Sequence, residues 1–208
     1  MLDADVIRQK LSALRQSRDA AVFGAAHHGY ALAPTLSEAE VKAFEERHRI
    51  VLPEEYRAFL TEVGNGGAGP DYGINPLGLD EWGDPLEGEA FGSLQRPFPG
   101  SLPVDTPGLQ FSPEHLLDGC LQIAHMGCAL YVLLVVSGPL RDSLWEDLRA
   151  NGGGLRPLLD EKGGRLGFGD WYLAWLRSPL RVSTPNTRAY TAGSWLRNVF
   201  RGFRRGSK

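Results

Sequence analysis

Residues 52–69 read LPEEYRAFLTEVGNGGAG, and the fold turns on what the last six of them do. Taken alone, GNGGAG fits G-x-G-x-x-G, with Gly64, Gly66 and Gly69 at the glycine positions of a dinucleotide-binding turn. That fingerprint needs a strand before it and a helix after it, because the pyrophosphate sits on the helix N-terminus. Here the order is reversed. Tyr56, Phe59, Leu60 and Val63 fall at i, i+3, i+4 and i+7, one apolar stripe of a helix that Pro53 suits at its first turn. Pro70-Asp71-Tyr72-Gly73 follows, with no helix start. Gly64 therefore reads as a left-handed helix stop, and the other glycines as a flexible turn.

Upstream, Ser37 and Glu40 form an S-x-x-E capping box, with Leu36 and Val41 as its hydrophobic staple, and open a helix through SEAEVKAFEERHR. Residues 3–18 place Val6, Ile7, Leu11 and Leu14 on one helical face behind a capping Asp3. The stretch 20–34 reads as a linker. Downstream, 72–79 reads as a short strand or edge segment limited by Pro76. The Pro- and Gly-rich stretch 80–115 is long enough to carry a short helix or a binding loop. Leu121–Ala124 and Cys128–Val136 read as strands flanking a turn at His125-Met126-Gly127, with further turns at Gly138-Pro139 and Asn151–Gly154. Asp170 caps a closing helix bearing Trp171, Tyr172, Trp175 and Leu176. No internal repeat is visible. Two helices, a meander and a helix make an α+β fold, a mainly antiparallel sheet with helices packed against it. The expected organisation is an N-terminal helix and linker (1–35), a core domain (36–180) and a basic tail (181–208).

At 208 residues and 42% hydrophobic content the chain can bury one sizeable core. Its longest apolar run, ALYVLLVV at 129–136, falls far short of the roughly 20 residues of a membrane helix and reads as a buried strand. No secretory pattern opens the chain, so Cys120 and Cys128 are expected as reduced thiols and the protein as cytoplasmic. The net charge of −3 is unevenly spread: residues 181–208 carry seven basic groups and no acid, and the remainder nets −10. From Trp195, WLRNVFRGFRRGSK spaces Trp195, Val199 and Phe203 at i, i+4 and i+8 among arginines. That tail can meet an anionic membrane or an acidic partner, or dock on the acidic body.

The residues that carry chemistry do not assemble into a catalytic or metal set. His115, Cys120, His125 and Cys128 are zinc ligands by type, but only His125 and Cys128 have knuckle spacing, and buried strand cysteines with turn histidines explain them. Ser137 precedes Gly138 without a G-x-S-x-G elbow. Acidic pairs such as Asp80-Glu81, Glu87-Glu89 and Glu146-Asp147 read as solvated loop and strand-end charges. The expectation is a chain with no catalytic residue, no metal and no cofactor.

The ordered series Leu52-Pro53, Tyr56, Phe59-Leu60, Asn65-Gly66-Gly67, Tyr72-Gly73 and Pro76-Leu77 resembles the SUKH superfamily of bacterial toxin-immunity proteins and yeast cell-wall synthesis regulators. LLVVSGPL, Trp145 and the aromatic helix at Asp170–Leu176 also look like that family, so the resemblance spans about 36–177. It implies a non-enzymatic protein-binding module, typically one that neutralises a cognate toxin such as a nuclease or deaminase, with no small-molecule substrate and no direct nucleic-acid contact. The alternative is a regulator or scaffold that meets a membrane or acidic partner through its tail. Because hot spots favour Trp and Tyr, the expected anchors are Tyr72, Trp82 and Trp145, ringed by Asp71, Asp80, Glu81 and Asp84. Tyr72 and Trp145 also fit a purely structural role in strands, which leaves Trp82 as the best of the three.

Overall fold

A computed structural model describes residues 2–17, 23–87, 91–100 and 115–177. Helices α1 (Ala4–Gln16), α2 (Ala25–His28), α3 (Glu38–His48) and α4 (Glu54–Ala58) precede strands β1 (Cys120–Gly127), β2 (Leu130–Val135), β3 (Leu144–Asp147) and β4 (Leu155–Pro157), and α5 (Phe168–Arg177) closes the series. The strands pair in sequence order as a four-stranded antiparallel meander. This is the α+β architecture expected from the sequence.

Both faces of the sheet are covered. Val132, Leu134 and Leu144 pack with Tyr56, Phe59, Phe168 and Tyr172 in the main core, while Leu133, Val135 and Trp145 pack with Phe98 and Leu117 on the other side. Double burial explains why β2 reads as a continuous apolar run and not as an alternation. The capping box forms in full: Ser37 N–H donates to Glu40 Oε2 (2.7 Å) and Glu40 N–H to Ser37 Oγ (3.3 Å). Asp3 caps α1, whose Ile7 and Leu11 belong to the main core.

The glycine stretch differs from the helix stop expected of it. Gly64 is extended (φ 173°, ψ 153°), and α4 ends through a π-turn over Phe59–Val63 that closes with Gly64 N–H donating to Phe59 O at 2.9 Å. The chain leaves the helix straight because it must pair at once. Asn65 and Ala68 N–H donate to Pro34 O (3.0 Å) and Ala31 O (2.7 Å), and Gly67 and Ile74 exchange two bonds of 2.8 Å. Ile74 bridges Ala124, so the chain of bridges Leu32, Gly67, Ile74, Ala124 continues the meander beyond β1. The expected strand at 72–79 is reduced to isolated bridges at Ile74 and Leu79. Of the expected linker at 20–34, the described part from residue 23 is built in through α2 and through residues 31–34; backbone bonding places it, and backbone bonding leaves no side-chain periodicity to read.

The β1–β2 turn also differs. β1 runs through His125 to Gly127, with an irregular register there, and the turn is Cys128-Ala129, both at positive φ (54° and 56°). Neither residue carries the Asn-Gly signal of such a turn, and the apolar run that begins at Cys128 conceals it.

A second feature is hidden in the sequence: LDEWGDP (79–85) and LDEKGGR (159–165) are one loop used twice. In each, the Asp side chain accepts from the backbone N–H two and four residues on: Asp80 Oδ1 from Trp82 and Asp84 (2.9 and 2.8 Å), Asp160 Oδ1 from Lys162 and Gly164 (2.8 and 2.7 Å). Bridges Leu79 to Pro85 and Leu159 to Arg165 close the two loops.

At Gly67 (φ 100°), an added Cβ would lie 2.4 Å from Ala31 O. Gly67→Ala is expected to cost at least about 2 kcal/mol, and Gly152→Ala, with φ 81° but open space around it, about 1 kcal/mol. Urea unfolding of both variants checks the order, and equal losses would remove the threading role of Gly67.

Candidate protein-binding surface

Near the end of β1, aromatic side chains from four segments form a cluster centred on His125 and Tyr72. Tyr72 stacks on the His125 imidazole (centroids 5.2 Å apart, 22° between planes), from which Tyr131 lies at 5.2 Å and Trp82 at 6.3 Å. Phe23 and His27 meet the Tyr72 ring edge-on at 5.2 and 5.8 Å. His125 and Tyr131 are cross-strand partners in the β1–β2 hairpin. Trp82 is 75% exposed and Phe23 59%, two of the few large apolar side chains the described surface leaves to solvent. They flank the cluster and make it an accessible patch, not a second core.

Backbone contacts hold the pieces together. Tyr72 N–H donates to His125 O (3.3 Å). Gly24, left-handed at φ 75°, passes so close to Asp71 that an added Cβ would overlap the Asp71 carbonyl oxygen at 1.8 Å. Only glycine lets the segment carrying Phe23 and His27 lie against the Tyr72 loop.

Carboxylates surround this patch, each in a different state, and the side chains of Glu81, Glu146 and Asp147 are buried, not the solvated charges expected of them. Asp80 is occupied by its own loop, and Asp84 is exposed. Glu81 turns inward, its side chain 7% exposed, with Oε1 3.2 Å from His125 Nδ1. That distance is within ion-pair reach, yet neither Glu81 oxygen receives a hydrogen bond; the contact is proximity, without donor alignment. Asp147 is held by Arg149 (2.8 and 2.7 Å), and Glu146 Oε2 by Arg156 (2.9 and 2.6 Å), with Glu146 Oε1 unpartnered. Asp71 is left-handed (φ 52°), and burial, followed by the charge of Glu146, pushes its carboxyl up to about 7.

The structure thus brings Asp71, Tyr72, Asp80, Glu81, Trp82 and Asp84 together and separates Trp145 from them. Trp145 is 2% exposed, packs edge-on against Phe98 at 5.0 Å and donates its indole N–H to Ser143 Oγ (3.0 Å). Its strand position gives it to the second core, so it is not an anchor. Phe23, His27, His125 and Tyr131 were not anticipated. A regular hairpin centred on Cys128-Ala129 would have set His125 opposite Val132, and only the register irregularity between His125 and Gly127 brings Tyr131 there; nothing in the sequence links Phe23 to them. His115, Cys120, His125 and Cys128 do not converge: Cys120 starts β1, Cys128 follows its far end, and His115 lies by Arg96 (2.9 Å) and Asp118 (3.3 Å). Among the described residues no group of three or more His, Cys, Asp or Glu is arranged to hold a metal. The basic tail at 181–208 lies outside the described residues.

Comparison with known families places residues 35–145, more than half of the chain, in the SMI1 / KNR4 family (SUKH-1). The chain belongs to that family. Curated proteins and solved structures give no match. The SUKH-1 span takes in the glycine stretch, the Trp82 loop and the β1–β2 hairpin, and so all of the aromatic patch except Phe23 and His27. Membership fits a protein of the immunity or regulatory kind, whose chemistry is that of binding a protein partner. No helix of the described residues is long and apolar enough to cross a membrane.

Because the folded state holds a proton on Asp71 up to about pH 7, while the unfolded chain releases it near 3.8, stability falls as pH rises between those values. Asp71→Asn keeps the left-handed backbone and removes that component. It is expected to unfold later than wild type at pH 8, by on the order of 2–4 kcal/mol, with the gap closing by pH 4. Thermal unfolding across that range checks it; a pH-independent difference would count against the raised carboxyl.

Proposed function

We propose that the protein is an immunity protein whose aromatic and acidic surface binds and neutralises a cognate toxin, a nuclease or deaminase with a basic working face. The observation that carries this reading is the exposed Trp82. Its loop folds equally well with Lys162 at the same position, so the turn does not require an indole, and a large apolar side chain in solvent is costly unless something covers it. Trp and Tyr anchors inside a charged rim are the usual composition of a hot spot. The acid excess of the body outside the tail favours a cationic partner and speeds its encounter. Nothing in the surface demands turnover, and the role proposed is occlusion in the cytoplasm without catalysis. The proposed domain is 36–180, and of the segment before it α1 places Ile7 and Leu11 in the main core.

A second reading rests on the seven basic groups of 181–208: a regulator or scaffold that meets a membrane or acidic partner through that tail. Deleting 181–208 separates the two. Retained protection supports immunity through the patch, and lost association with intact patch binding supports the scaffold.

The toxin is sought in the gene beside this one. Co-expression is expected to restore growth and give a complex on a sizing column; no rescue and no complex would overturn the proposal. Trp82→Lys, which copies the twin loop, should leave the fold intact and weaken the complex by about 2 kcal/mol or more, roughly thirtyfold in Kd. Lys162→Ala should change nothing.

A further inference from the structure

We propose that the surface receives a cationic side chain, arginine or lysine, from its protein partner, seated between Trp82 and Tyr131 with Glu81 as its counter-ion. The inference rests on the protein-binding reading above and supplies the chemistry of its anchoring contact.

Comparison of the twin loops isolates what is special about Glu81. Its counterpart Glu161 is exposed, and the hydrogen bonds that close each loop run through the aspartate and the backbone, not through the glutamate. The turn therefore does not require Glu81 to point inward. It does so all the same, and both carboxylate oxygens are buried without a hydrogen bond. A carboxylate removed from water with no donor is unfavourable, and the arrival of a donor relieves it.

The surroundings specify which donor. Burial raises the Tyr131 hydroxyl, and the charges of Glu81, Asp147 and Asp80 raise it further, so this corner of the patch lies in a negative field. Two of those carboxylates already have donors: Asp147 has Arg149, and Asp80 has the backbone of its loop. The nearby guanidinium of Arg156 is held by Glu146. Among these groups Glu81 is the carboxylate that receives no hydrogen bond, its ion-pair neighbour being the His125 imidazole 3.2 Å away. Around the same His125 stand the exposed indole of Trp82 (6.3 Å) and the Tyr131 ring (5.2 Å), whose faces attract a cation. A guanidinium satisfies both demands, since it stacks on an aromatic plane and presents paired N–H donors to a carboxylate.

The test uses the full chain and two small probes, N-acetyl-arginine amide and its neutral isostere N-acetyl-citrulline amide, followed through the Trp82 indole N–H signal in NMR. The arginine probe is expected to shift that signal saturably, with the citrulline probe at least about tenfold weaker. Glu81→Gln should abolish the response while the indole signals of the other four tryptophans stay in place. Trp82→Lys, read through the His125 imidazole signals, should also abolish it. No saturable shift, an equal response to citrulline, or unchanged affinity in either variant would overturn the inference. Because no toxin is present, that failure is distinct from failure of the immunity reading, which growth rescue reports.

Discussion

Two backbone hydrogen bonds exchanged between Gly67 and Ile74 join the helical half of this protein to its sheet, and most of the architecture depends on them. On one side the glycine segment is paired with residues 31–34, which return from α2. On the other, Ile74 reaches Ala124 on β1. Packing this tight leaves no room for a Cβ at Gly67, so steric exclusion selects the residue. The same segment accepts the buried hydroxyl of Tyr172 from α5 at Ala68 O (3.0 Å), which ties the closing helix to the same point.

From that junction the position of the surface follows. Gly67 and Ile74 fix the loop that bears Asp71 and Tyr72; Ala124 fixes the register of β1 and hence of His125; the hairpin then sets Tyr131 opposite. With both faces of the sheet covered, the residues of β1 to β3 that meet solvent lie at the end of the β1–β2 hairpin, and there the aromatic side chains gather. The aromatic patch is an outcome of the weave and needs no dedicated insertion beyond one short loop.

The sequence disclosed those parts of the fold that rest on side-chain pattern. Ser37 with Glu40, the stripe Tyr56–Val63, the apolar β2 and the aromatic α5 were all legible because capping and periodicity write themselves into residue types. The backbone-driven parts were not. Gly64 looked like a left-handed stop and is extended; residues 31–34 looked like linker and are paired; Cys128-Ala129 turns the chain without a turn signature. At the surface, Trp82 and its acidic neighbours stood out by composition, whereas Phe23 and His27 come from a segment whose approach depends on the bare backbone of Gly24. Trp145 misled as an anchor for the opposite reason: its residue type suits a hot spot, but β3 turns it into the second core.

The hairpin that presents His125 and Tyr131 also carries Cys128 at its exposed tip, while the protein's other cysteine, Cys120, is buried with its thiol pushed well above the usual range by burial, then by Asp147 and Asp118. Thiol chemistry on the native chain is therefore directed to a single position at the edge of the patch. A fluorophore or spin label placed there reports occupancy of the surface without any engineered cysteine, and reports it for whatever molecule arrives.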